Sequence, residues 1–379
     1  MNYMRLLYIL INFLFVLKYS MRVGIISTYA MDKSYLFPVV TAGCCVVYLI
    51  FSSLLIFNIH RLPKINRKKS MVLMTLGLVI LIVAQLSINP GILMVDRWSA
   101  IHNFIACLFN GEYPYGAVTH LGGHGSPFPV WQFFHIPFYL LGDVALSFIP
   151  VMVFLLWTIF KLYGQQTTFR IFLLLVFSPA FVYEVIVRSD LITNFLLVMA
   201  IINCFIYYKV TLKTHPWLVA VIAGLLMSTR LSVATVLIIY FLAEYIQLKW
   251  SQKVMVPLVS ILVFVLTFLP LFFWDVTFFS VSTKNPFILQ SRQGNFTDIL
   301  WIVPLLMVCA LQYKKKIDYY RNTAIFLFLF VSLIFIHNMW NNNNFDSLFT
   351  SFYDITYFDM ALPFCLIPLV CRDGRSADC

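Results

Sequence analysis

Charge is what this sequence has least of. Asp, Glu, Lys and Arg make up 11% of its 379 residues, against 61% hydrophobic side chains. So few polar groups cannot coat a water-soluble globule of this size, and the chain is read as an integral membrane protein. Its apolar runs extend to about 24 residues, enough for helices to cross a hydrocarbon core of about 30 Å, and they point to helices and not to a barrel. No CxxC pair occurs among the eight cysteines, so neither a zinc site nor a disulfide framework is indicated, and they read as small packing residues. No small-residue cleavage site follows the first apolar segment, which is therefore read as a span and not a signal peptide. The net charge of +11 does not indicate nucleic acid, because Lys and Arg fall in short clusters between apolar runs, as topology determinants do.

What is present is an all-α, polytopic pattern of about 12 spans: 6–29, 36–59, 71–90, 143–162, 170–187, 191–209, 216–229, 231–248, 252–274, 298–312, 322–339 and 357–371. The loops between them divide sharply. One alternating set carries most of the Lys and Arg: RLPKINRKK at 61–69, the links 161–170 and 209–215, Lys249 and Lys253, YKKKIDYYR at 313–321, and the tail CRDGR. The positive-inside rule places that set, and both termini, in the cytoplasm. The other set receives most of the acids, among them Asp32, Asp96, Glu112, Asp143, Glu184, Asp190, Asp275, Asp298, Asp346, Asp354 and Asp359. It also holds every long loop (91–142, 275–297 and 340–356), which is where chemistry is expected.

In the first long loop, WSAIHNFIACLFNG spaces Trp98, Ile101, Ile105, Leu108 and Phe109 as one helical face and offers Gly111 as a stop, so an interfacial helix is expected. GEYPYGAVTHLGGHGSPFPV then reads as coil with tight turns. WQFFHIPFYLLG, too short to span and rich in aromatics, reads as a second interfacial or re-entrant helix. An Asp just past an early span, a surface helix ending in G-x-Y-P-Y, a Gly-rich loop and S-P-F-P-V-W together resemble the GT-C superfamily of integral membrane glycosyltransferases, over roughly residues 71–371. In that superfamily the acid usually follows the first span. Here two spans precede it, so residues 1–65 are expected to be an N-terminal addition and 66–379 the catalytic domain, external loop 91–142 included.

The resemblance implies transfer of a sugar from a polyprenyl-phosphate or polyprenyl-diphosphate donor to a glycan, lipid or protein acceptor on the non-cytoplasmic face. It makes Asp96 the general base, the alternative being a carboxylate that pairs with Arg97. Arg188 suits the donor phosphate, with Asp190 orienting it or binding sugar hydroxyls, unless the two form a local ion pair. Arg230, between two short spans, needs either a partner or an anion; related enzymes place a phosphate-binding cation comparably. Lys284, Gln290 and Arg292 suit a segment covering a lipid-phosphate donor, or form a solvated loop. Glu112, Tyr115, His120 and His124 are substrate-binding candidates, with ordinary loop, interface and packing roles as alternatives, and Asp354, Tyr357 and Asp359 face the acceptor. His120 and His124 lack the further ligands a zinc site requires, so no cofactor is expected, a divalent metal being the minor alternative. Competing readings are an O-antigen-type polymerase, a transporter or flippase of lipid-linked saccharide, and a non-catalytic assembly subunit. A transporter needs charge near the bilayer midplane, and here the charge collects at one face. The short length and the lack of a retention tail favour a bacterial plasma membrane.

Overall fold

The computed structural model describes residues 2–31, 36–280, 284–292, 294–312, 316–343 and 353–371. Asp32, Asp346, the 313–315 part of the basic linker and the tail from 372 lie outside these residues. Within them the chain is helical, and extended pairing is limited to one isolated bridge, Val118 to His124. Seven helices are long and apolar enough to cross a membrane, and four shorter apolar helices (216–227, 233–245, 296–311 and 355–370) accompany them. The chain is thus a multi-pass helical membrane protein.

The first spans are α1 (Asn2–Met31), α2 (Leu36–Asn58) and α3 (Arg67–Leu86). Val46, Val47, Ile50, Leu54 and Phe57 on α2 are exposed. Such a row is costly in water but neutral against lipid tails, which are as apolar as Leu. α1 turns inward instead. Its Tyr8 hydroxyl donates to the Leu174 carbonyl at 2.5 Å, and its Asn12 Oδ1 accepts from Ser178 Oγ at 2.5 Å and the Ala180 amide at 3.1 Å. Residues of the expected N-terminal addition therefore share one apolar core with the rest of the bundle.

The helix expected at the interface is α4 (Arg97–Phe109), followed by Asn110 and by Gly111 at φ 73°, the left-handed turn that ends it. Ile101, Phe104 and Ile105 pack under it against Tyr115 and Trp131, each such buried side chain contributing about 1.5–3 kcal/mol. The segment expected to be a second interfacial or re-entrant helix forms two short helices, α5 (Pro129–Phe134) and α6 (Ile136–Leu140). Pro137 has no amide to continue the α5 ladder across His135.

α7 (Phe148–Val176) is two helical segments that meet at Gly164, whose φ of 76° and ψ of 177° are not helical; the chain turns there at the basic end, so the expected link at 161–170 is present in contracted form. The expected span 170–187 is broken: α7 ends, Ser178 Oγ caps the Phe181 amide at 3.3 Å, Pro179 opens α8 (Pro179–Ile186), and α8 is too short to cross. α9 (Leu191–Tyr208), α10 (Pro216–Met227), α11 (Val233–Tyr245), α12 (Trp250–Trp274), α13 (Pro286–Ser291), α14 (Ile299–Leu311), α15 (Lys316–Asn342) and α16 (Leu362–Val370) follow. Six free thiols are present among the described residues.

The two loop sets gather at opposite ends. At the basic end Gln165 and Gln166 each donate to the Ile65 carbonyl, at 2.9 and 2.8 Å. At the acidic end Arg97 reaches Ser189 and Thr356, and Gln290 joins Ser126 to Leu231.

Candidate functional site

Asp96 and Arg97 part company at the start of α4. Arg97 turns into the bundle, where its guanidinium donates to Ser189 Oγ at 2.9 Å, Asp354 Oδ2 at 2.6 Å and Thr356 Oγ1 at 2.6 Å, and lies 5.5 Å over the Tyr357 ring. Glu184, fully buried on α8, places Oε1 4.0 Å from the same guanidinium and accepts the Ile192 amide on Oε2 at 3.2 Å. Burial pushes the Glu184 carboxyl up to about 7, against the pull of Arg97. For Asp354 burial acts in the same sense, but the guanidinium and the Thr356 hydrogen bonds win and hold it below the ordinary carboxylate value. One arginine thus serves two acids of opposite shift.

A second pair lies deeper. Asp190 Oδ2 accepts from Arg230 Nη2 and, at 2.6 Å, from the indole of Trp131. Both charged residues are buried, and Arg230 outweighs burial to keep the Asp190 carboxyl below its ordinary value. The first long loop enters here as a wedge: the Phe128 and Val130 amides donate to the Thr229 and Ser228 carbonyls at 3.2 and 3.1 Å, and Trp131 stacks on Phe134 at 5.1 Å. Below it, burial pushes His135 down to about 4, so the ring is neutral. Its Nδ1–H donates to the Trp131 carbonyl at 2.7 Å and its Nε2 accepts from Ser147 at 3.0 Å.

Beside this network opens a cavity of about 510 Å³. Its walls are mostly apolar, with Leu191, Ile302 and Phe330 among them, and its polar points include Arg230, Tyr357, Gln290 and Asp298. Arg230 Nε is buried and has no hydrogen-bond partner among the described residues. Asp298 receives His337 Nδ1 at 2.5 Å, the Trp301 indole at 3.2 Å and the Asn295 amide at 2.7 Å.

The expected site residues are only partly brought together. Arg230, Asp190 and Gln290 are at or beside the cavity. Both ends of the Gln290 amide are taken, however: Oε1 accepts the Leu231 amide and Nε2 donates to the Ser126 carbonyl, each at 2.7 Å, so it clasps three loops where a substrate contact was expected. Asp190 is likewise committed to Arg230 and Trp131 and does not orient Arg188. Arg188, at φ 57°, turns the other way to Asp143 Oδ2 at 2.8 Å and the Ile88 carbonyl at 2.9 Å, which makes it a buried loop tie and not a phosphate ligand in this conformation. Arg292 is exposed at the end of α13, next to the cavity-lining Ser291.

Asp96 is half-buried, is not a cavity-lining residue, and accepts from Thr119 Oγ1 at 2.9 Å on Oδ2. Among the described residues it makes no ion pair, so the alternative of a pair with Arg97 is not what the fold contains. Tyr115 is buried against Phe104 with its hydroxyl on the Pro127 carbonyl at 3.0 Å, a packing residue out of a substrate's reach. Glu112 is exposed at the foot of α4. His120 pins its loop through Ser99 Oγ at 2.7 Å and the Leu93 carbonyl at 2.7 Å, and His124 does so through the Ala117 carbonyl at 3.0 Å. No group of three or more metal-ligating side chains converges among the described residues. Ser189, Thr356 and Asp143 went unnoticed in the sequence as partners of the arginines, and Trp131 as a partner of Asp190. No spacing signals contacts that cross the chain in this way. No protein-family model, curated protein or solved structure matches this chain.

Proposed function

We propose that the protein is a multi-pass membrane glycosyltransferase of GT-C-like architecture, using a polyprenyl-phosphate or polyprenyl-diphosphate sugar and a glycan, lipid or protein acceptor. The observation that carries this reading is the cavity, whose apolar walls suit an isoprenoid chain and whose Arg230 keeps an unpartnered Nε for an anionic group. In this reading the basic end and both termini face the cytoplasm, as in a bacterial plasma membrane, the acidic end faces outward, and the short helices complete about 12 spans.

Inverting transfer then proceeds with the acceptor oxygen attacking the anomeric carbon as the carbon–phosphate-oxygen bond breaks. The acceptor proton passes to Asp96, and the departing phosphate carries its electron pair toward Arg230. Asp96 is given the proton because it makes no ion pair among the described residues, whereas Asp190 is paired with Arg230 and Asp354 with Arg97. Arg97, next in the chain, lies over the cavity-wall residue Tyr357, so the base stands one residue from a side chain that touches that wall.

The test is transfer from a panel of radiolabelled polyprenyl-phosphate sugars by purified protein in vesicles. Wild type should transfer one of them, and Asp96→Asn should lose at least 100-fold while remaining folded, given that positioned proton transfer contributes about 10²–10⁴-fold. Undiminished transfer by Asp96→Asn removes the base; no transfer from any donor, with donor bound no better by wild type than by Arg230→Gln, removes the reading.

A further inference from the structure

The basic end holds cations that the bundle itself leaves unpaired. Arg61 and Lys64 precede α3 and Arg67, Lys68 and Lys69 open it, five cations within nine residues and all exposed, with Lys161 exposed on the neighbouring α7. Among the described residues none of the six takes part in an ion pair, and Arg67 has only the Phe160 ring, 5.2 Å away. Arg67, Lys68 and Lys69 also form the first turn of α3, where the helix dipole is positive and cations are disfavoured. The segment is nonetheless held firmly. Gln165 and Gln166 donate to the Ile65 carbonyl, Gln165 also to Ser70 Oγ at 3.0 Å, Arg170 donates to the His60 carbonyl at 3.2 Å, and Asn66 Oδ1 caps the Lys68 and Lys69 amides. These bonds come mainly from the α7 segment just beyond the Gly164 kink, so the kink is what brings a clamp to the cationic turn.

We propose that this turn is a binding surface for the headgroups of anionic phospholipids. Position selects the occupant: α3 begins at Arg67 and is itself long and apolar enough to span, so its first turn lies at headgroup depth. An anionic headgroup supplies the counter-charge that the fold omits, and it relieves both the mutual repulsion of the cations and their conflict with the helix dipole. Clamping means that little ordering remains to be done on binding. The proposal is independent of the transferase reading.

The experiment is native mass spectrometry of the purified full chain in detergent, titrated with phosphatidylglycerol or phosphatidylcholine, with thermal unfolding in parallel. Phosphatidylglycerol should bind at least tenfold more tightly, raise the melting temperature, and lose affinity as salt is raised from 0.05 to 0.5 M. Each of Lys64→Gln and Lys68→Gln should weaken it about fivefold, the equivalent of about 1 kcal/mol per charge at a membrane surface. Lys213→Gln, which removes a basic-end lysine outside the turn and hydrogen-bonded to Gln247, should leave binding unchanged. Inorganic phosphate at equal concentration should not displace the lipid. Equal binding of the two lipids, indifference to salt, loss of binding equal in Lys213→Gln, or displacement by inorganic phosphate would overturn the proposal. Should either turn variant misfold, the wild-type lipid preference and salt response decide alone.

Discussion

The two ends of this bundle treat charge in opposite ways. At the acidic end each of Arg97, Arg188 and Arg230 is drawn inward and given a carboxylate: Asp354, Asp143 and Asp190 respectively. At the basic end the cations of 61–69 remain on the surface with no carboxylate partner among the described residues. The difference teaches where a membrane protein spends its acids. A surface cation costs little to leave in water or among headgroups, whereas a buried one is tolerated only with a partner. Charge buried in pairs at one end therefore marks built structure beside a cavity, while charge left exposed at the other needs no partner within the bundle.

The largest test of the contrast removes a buried partner. Asp190→Ala strands Arg230 and the Trp131 indole and should cost about 3–5 kcal/mol in thermal or denaturant unfolding. Asp190→Leu combined with Arg230→Met should recover most of that loss; if the double variant is no better than the single, the pair is not an isolated electrostatic unit. Next in size is the pH response of Glu184. Its carboxyl rises in the folded protein from the ordinary 4.5 to about 7, so the folded state binds the extra proton between those values. The contribution to stability is thus fully present below about pH 4.5 and is lost as pH rises through about 7. Glu184→Gln should flatten that slope in melting temperature against pH, and a slope that persists would assign it to another group.

A smaller effect is expected from Trp131→Phe, which keeps the stack on Phe134 but removes the indole hydrogen bond to Asp190; about 1.5–3 kcal/mol should be lost. The smallest comes from the other end. Lys64→Gln in detergent free of anionic lipid should change stability by less than about 0.5 kcal/mol, and a larger loss would show that the bare cations are structural after all.

Much of the fold was legible before any coordinates. The division into two loop sets, the helix ending at Gly111 and the short helical segment after SPFPV all follow from local composition and turn chemistry. The miss came where two residues outweighed a hydropathy window: Ser178 with Pro179 breaks a stretch that hydropathy reads as continuous, whereas the expected break near 161–170 is present at Gly164. The candidate site was legible as residue types and not as pairs. Arg230 and Asp190 were singled out separately and prove to be each other's partners, while Arg188 and Asp190, two residues apart, face different directions.

Hydropathy and the sidedness of charge are sums over neighbouring residues, so the sequence alone determined that this is a multi-pass helical protein with an acid-rich, long-looped end. Which acid meets which arginine is not such a sum. Arg97 finds Asp354 across 257 residues, and Arg230 meets Asp190 and the Trp131 indole only because three loops converge on one mouth of the bundle. Helix packing alone brings such groups within hydrogen-bonding distance, and in a buried, low-dielectric setting that distance decides whether a charge is paired, protonated or left to bind a ligand.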